Sequence, residues 1–307
     1  MGLRLKFNLL LFFTFIIGVT ASGFIANYIL QKNARHEVLN NAGILMASNL
    51  AIRMYTVEHV KPLLARQQKK SFVKESVPAF AAAQNMEWLR KLGDKHENYK
   101  KYRSYTYREA TINPTNIANR AADWERDIIH WFRKNPNKEE YVGVHQTEMG
   151  KSLYLSRPIK ITDQACLACH STPEAAPVTL VKEYGRNNGF GWKLNQVVGT
   201  QIVTIPMKVP LQRAQTAFMT FMILLIGVFM LVAILLNLFL NTIVIKRIKR
   251  MSRVANDISL GSNSTADFNL KGNDEVASLA KSFNRMRRSL SNAMDMLEET
   301  TGNFTRM

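Results

Sequence analysis

The sequence predicts an α+β domain held outside a membrane between two spanning helices, with a pair of amphipathic helices after the second. Three observations carry this. Two uncharged apolar blocks, Leu9–Leu30 and Ala217–Leu240, each supply about the twenty residues a helix needs to cross a bilayer. Between them, helical periodicity alternates with short strand-like runs. Beyond them, apolar residues recur in steps of three and four.

The net charge of +18 is high for 307 residues. Much of its clustered part flanks the apolar blocks: Arg4 and Lys6 precede the first, and Lys246, Arg247, Lys249, Arg250 and Arg253 follow the second. Lys and Arg beside a span mark its cytoplasmic end, so both termini are expected inside and residues 31–216 outside. That placement argues against nucleic acid as a partner; the basic run beside the membrane suits anionic lipid heads instead. Val19-Thr20-Ala21-Ser22 offers small residues for cleavage of a signal peptide. Apolar character continues through Phe24, Ile25, Ala26, Tyr28, Ile29 and Leu30, which favours a retained anchor.

Taken in order, residues 31–68 read as a helix running directly out of the first span, with Val38, Ala42, Leu45, Met46, Leu50, Ile52 and Val57 at a broadly helical step. Pro78–Arg90 forms a second helical stretch. Tyr99–Tyr107 mixes Lys, Arg and Tyr without period and reads as a solvated edge with its aromatics turned inward. Ile112–Asn116 is a turn, with Asn before Pro. A helix is expected from Asn116 through Phe132, carrying Asp123, Glu125, Arg126 and Asp127 on its outer face. Glu140–His145 and Lys151–Ile161 read as two short strands around Met149-Gly150. Val178–Tyr184 is a brief helix, and Gly185–Gly191 a loop in need of unusual dihedrals. Val197–Pro206 is a β-branched strand that feeds almost directly into the second span.

The chemistry concentrates in Cys166-Leu167-Ala168-Cys169-His170, which holds both cysteines of the chain. Two thiols at this spacing can add to the two vinyl groups of a haem, with the adjacent histidine beneath the iron, so the motif reads as a c-type haem attachment site. A zinc site would need two further ordered ligands, a thioredoxin-like motif a βαβ context, and a disulfide across so short a loop would be strained. One covalently attached haem c is expected, bound through Cys166, Cys169 and His170.

After the second span, Ile248, Met251, Ala255 and Ile258 form one stripe ending at Gly261, and a polar connector follows. Asp274-Glu275 then open a helix with Val276, Leu279, Phe283, Met286, Leu290, Ala293 and Leu297 on a coiled-coil seam. Two such helices bury their seams by pairing with a second copy, so a homodimer is expected through Phe283, Met286 and Leu290.

This block resembles a HAMP linker, the relay module of bacterial receptors: Gly261, Asp274-Glu275-Val276, Leu279, Phe283-Asn284 and Met286 match, while Arg247 stands where the first helix of the family usually has proline. The external segment resembles a family of single-haem, c-type PAS-like sensor domains, long catalogued as a domain of unknown function. The matching stretches are Tyr107–Asn116, Trp124-Glu125, Arg157-Pro158-Ile159, Cys166–Pro173, Asn188–Trp192 and Val198-Gly199. The resemblance implies a PAS-like fold, His170 as one axial ligand, and a sixth ligand from the long N-terminal helix. Some relatives use a cysteine there, and this chain has no third one.

On that helix Met46 shares a face with Ala42, Asn49 and Arg53. Met46 is therefore the expected distal ligand, ahead of His59 or an open site, and Arg53 the expected partner of a haem propionate. The expected division is a cytoplasmic N-terminus at 1–8, spans at 9–30 and 217–240, an external sensor at 31–216, a HAMP domain at 241–298 and a tail at 299–307. The whole reads as an inner-membrane sensor of redox state or a diatomic gas, whose output is a kinase, cyclase or chemotaxis-type protein in another polypeptide or a further part of a longer receptor. The second reading is a membrane-anchored electron-transfer cytochrome. One attachment motif and no acid–base cluster argue against an enzyme.

Overall fold

The computed structural model describes residues 2–148, 150–259 and 274–304. It divides into two units, Phe24–Met219 and a second made of Met1–Gly23 with Thr220–Met307.

In the first unit, helix α1 (Leu3–Tyr55) runs without a break out of the apolar block, as its uninterrupted periodicity predicts. A π-helical turn at Thr56–Val60 joins it to α2 (Lys61–Gln68), whose second residue, Pro62, has no N–H to donate back into that turn. Helix α3 (Pro78–Lys95) also opens on proline. Strand β1 (Thr106–Thr111) follows, then α4 (Asp123–Lys134), the hairpin β2 (Tyr141–Thr147) and β3 (Gly150–Lys160), the short helices α5 (Leu167–His170) and α6 (Val178–Tyr184), and strand β4 (Val197–Pro206). The four strands form one antiparallel sheet in the order β1-β4-β3-β2, so the last strand lies between the first and the third.

Alternation along each strand gives the sheet two apolar faces. On one, Leu153, Leu155, Val203 and Ile205 pack against Val38, Ala42 and Met46 of α1. On the other, Ala110, Tyr154 and Ile202 pack against Ile128, Ile129 and Phe132 of α4. The sheet is thus covered by helices on both sides, the mixed helix-and-sheet architecture the sequence predicts.

Three local expectations are corrected. The expected edge at Tyr99–Tyr107 ends in a strand, Thr106–Thr111, paired with β4 from Thr106↔Thr204 to Thr111↔Gly199. Asn116 caps only a 3₁₀ turn, its side chain accepting from Ala118 N at 3.0 Å, and α4 begins at Asp123. Glu125 is not on an outer face but 2% exposed. Its Oε2 accepts from Ala122 N at 2.8 Å, closing the first turn of α4, and its Oε1 lies 2.9 Å from Arg108 Nε. A carboxylate at that position satisfies free N–H groups of the helix start and can be buried because Arg108 neutralises it.

In the second unit, α7 (Lys208–Phe239) carries no charged residue after Arg213 and leads through a second π turn at Leu240–Ile245 into α8 (Lys246–Ser259). Both α1 and α7 are long and apolar enough to cross a membrane. Phe15 of α1 stacks on Phe229 of α7, centroids 4.7 Å apart. Helix α9 (Glu275–Phe304) begins at the expected acidic pair, with Asp274 Oδ1 accepting from Ala277 N at 2.7 Å as an N-cap. The other oxygen of Asp274 pairs with Arg247 at 3.0 Å, so the residue in the usual proline position ties α8 to the start of α9.

Within one chain the seam divides. Val276 and Phe283 pack with the buried Ala280 and Met251, while Leu279, Met286 and Leu290 remain 54%, 62% and 52% exposed. Gly261, the connector after it, Met149 and the side chain of Leu297 lie outside the described residues.

Candidate haem-attachment site

The attachment motif is built by two local devices. Asp163 Oδ1 accepts from Ala165 N at 2.8 Å, starting a 3₁₀ turn at Gln164–Cys166 that passes directly into α5. Both cysteines therefore lie on one short helical segment, free and partly exposed. Burial raises the pKa of the Cys169 thiol. Arg53 of α1 and Lys61 of α2 lie within electrostatic reach of Cys166 and Cys169 respectively, so the end of the N-terminal helix faces the motif.

His170 is held by the loop that precedes β4. Its Nδ1 lies 2.8 Å from the carbonyl oxygen of Gly189, which only accepts, so Nδ1 carries the proton. Nε2 is then left with its lone pair, the form in which histidine binds a metal. Trp192 stacks on the imidazole, centroids 3.9 Å apart and planes 13° from parallel. Trp192 N donates to the carbonyl of His170 at 3.1 Å, and Gly191 N to that of Ser171 at 2.8 Å. Burial lowers the pKa of His170 and so favours the neutral ring, and the Gly189 hydrogen bond opposes this only in part.

Gly189 has φ +85°, and a Cβ there would run into Thr115, whose Oγ1 is 3.4 Å from His170 Nδ1. The glycine-rich loop is needed for this approach of backbone to ring. The expected unusual dihedrals are present at Gly185, Gly189 and Gly191.

The donor set fits a c-type haem: two free thiols and a neutral histidine whose Nε2 has no hydrogen-bond partner among the described residues, all on one short segment. It does not fit a protein-bound metal ion, since no group of three His, Cys, Asp or Glu side chains converges among the described residues.

The two residues expected from α1 behave differently. Met46 is 1% exposed inside the cluster of Val38, Ala42, Leu153, Leu155, Val203 and Ile205. Its face of α1 is the face that meets the sheet, so the step it shares with Ala42 is one of core packing. Arg53 already has a carboxylate partner: its Nη1 lies 2.6 and 2.5 Å from the two oxygens of Glu109. Tyr107 donates to the same carboxylate at 2.6 Å. Burial opposes the charge on Arg53, but Glu109 more than offsets it and its pKa is raised. Burial, then the carboxylate, push that of Tyr107 up as well.

Sequence reasoning missed Glu109, Asn113 and Trp192 as parts of this neighbourhood. The signal lay in the matched stretches Tyr107–Asn116 and Asn188–Trp192, which the structure brings together around His170.

Comparison with known proteins matches two parts of the chain. The profile of the Tll0287-like family matches residues 31–206, and that of the HAMP domain residues 239–292. Among solved structures, that of the cyanobacterial heme-protein Tll0287 is similar at 14% identity and a TM-score of 0.38, covering 55% of this chain and 95% of its own. No curated protein matches the chain. With more than half its length inside the first profile, the chain belongs to the Tll0287-like family and carries a HAMP domain after it.

Proposed function

We propose that the protein is a membrane-bound haem sensor that relays the state of one covalently attached haem c to its HAMP domain. The observation that carries this is the geometry at His170: a neutral imidazole with Nδ1 bound to Gly189 and Nε2 unengaged, one residue from a free cysteine. Cys166 and Cys169 would hold the haem by thioether bonds, and His170 would be its proximal ligand. A haem so bound supplies a one-electron couple and a coordination site for diatomic gases. Residues 31–216 would face the periplasm, with both termini in the cytoplasm, a reading the flanking basic residues support.

Relay would start from the same contacts. The loop that grips His170 leads straight into β4, and a single residue, Met207, separates β4 from α7. A shift of His170 would therefore load the strand that enters the second span. Leu279, Met286 and Leu290 supply an exposed apolar stripe on α9 that a second copy would cover. The electron-carrier alternative has no use for α8 and α9, and a cytochrome of that kind would work without residues 241–307.

Met54 and His59 are the other ligand-type side chains that α1 and its π turn carry near Arg53, and both are exposed. Absorption spectra of the full-length protein with oxidant, reductant, CO and NO test the sensor chemistry, and the variants Met46→Ala, Met54→Ala and His59→Ala test the distal side. Met46→Ala should leave the spectrum unchanged while costing about 2–5 kcal/mol for the cavity it opens. A low-spin spectrum turning high-spin in Met46→Ala would restore Met46 as ligand.

A further inference from the structure

We infer that Asn113 is the positioning residue that sets the electron donation of His170, and with it the reduction potential of the haem; this rests on the haem reading above. Asn113 lies just past the end of β1, where Ile112 N still reaches Val198 O at 3.4 Å. Its side-chain amide grips the opposite loop in both directions. Nδ2 donates to Phe190 O at 3.1 Å, and Oδ1 accepts from Gly189 N at 3.1 Å. The residue so clamped, Gly189, is the one whose carbonyl receives the His170 Nδ1 proton at 2.8 Å.

A glycine at positive φ has little to hold its carbonyl in one direction. Thr115 blocks the loop from one side, and Asn113 fixes its backbone on both sides of the Gly189–Phe190 peptide. The result is a short, aimed hydrogen bond to the ring. Such a bond from the non-ligating nitrogen makes histidine a stronger donor. A stronger donor favours ferric over ferrous iron and lowers the potential. Both side-chain hydrogen bonds of Asn113 go to the loop backbone, so it acts on the ring through Gly189.

The test is the reduction potential of full-length haem-loaded protein in detergent, by spectroelectrochemical titration. Asn113→Ala frees the loop and should raise the potential, shifting the ferric-to-ferrous ratio by roughly threefold to tenfold, or about 30–60 mV for one electron. Asn113→Ser, a milder change, is measured beside it and should rise less, and it decides the matter should Asn113→Ala fail to mature. The control is Asn188→Ala, which removes only the contact of the same loop with Arg120 at 3.2 Å. Its potential should stay at the wild-type value. A potential in the Asn113 variants equal to that of the control overturns the inference, even if their stability falls. Wild-type protein without covalent haem, seen by haem stain on a denaturing gel, would instead overturn the function proposed above.

Discussion

Replacing Cys166 and Cys169 together by alanine should abolish haem staining of the denatured protein on a gel. Covalent attachment is the only state that survives denaturation, and these are the two thiols of the chain. Each single variant should keep a weakened stain through one remaining thioether. The fold should persist in the double variant, because both side chains are partly exposed and neither belongs to the core clusters. Retained staining in the double variant would contradict the attachment site itself, whatever the spectrum of the protein.

The second large effect concerns the pair Arg53–Glu109. Glu109→Ala leaves the Arg53 guanidinium in a mostly buried position without its counter-charge and deprives Tyr107 of its acceptor. Breaking a buried pair on one side costs about 3–5 kcal/mol. The Arg53 side chain is 24% exposed, so water recovers part of this, and about 2 kcal/mol is the expected loss. Thermal melting of the full-length protein should fall by about 4–8 °C. Arg53→Ala/Glu109→Ala should lose less than the two single variants summed, because it leaves no orphaned charge. Glu109→Ala also exposes a net positive charge near Cys166, which should raise the haem potential; the double variant should not. A melting temperature unchanged in Glu109→Ala would mean the pair contributes nothing.

Much of the fold is legible in the sequence, and the reasons differ from element to element. Val197–Pro206 was readable to the residue because seven of its ten residues, from Val197 to Ile205, are β-branched and favour the extended chain. The helices α1 and α3 were readable from uninterrupted period and from proline at the start. Strand β1 was not, because its face toward α1 carries Tyr107 and Glu109 in place of aliphatic residues. Those polar groups are buried only by virtue of Arg53, a partner 56 residues away that no local pattern reveals. Glu125 was misplaced for the same reason: its partner Arg108 lies on a different element.

The attachment site shows the same contrast. Cys166, Cys169 and His170 are contiguous and declare themselves by spacing, whereas what orients His170 comes from Gly189, Trp192 and Thr115 on separate loops. On α1, one helical face was asked to serve both packing and ligation. Met46 and Ala42 serve packing, since the sheet lies against that face.

The central claim is that the state of the haem reaches α9, and it can be measured there directly. Met286 is exposed on α9, and with both native cysteines engaged by haem a Met286→Cys variant carries one free thiol. Crosslinking of this variant in membranes by a bis-maleimide is followed with mediators holding the haem oxidised or reduced, and with CO added to the reduced form. The account predicts crosslinked dimers whose rate of formation differs between at least two of these states, and no such difference when His170 is also replaced by alanine. Equal rates in all states, with haem present and spectrally responsive, would contradict it.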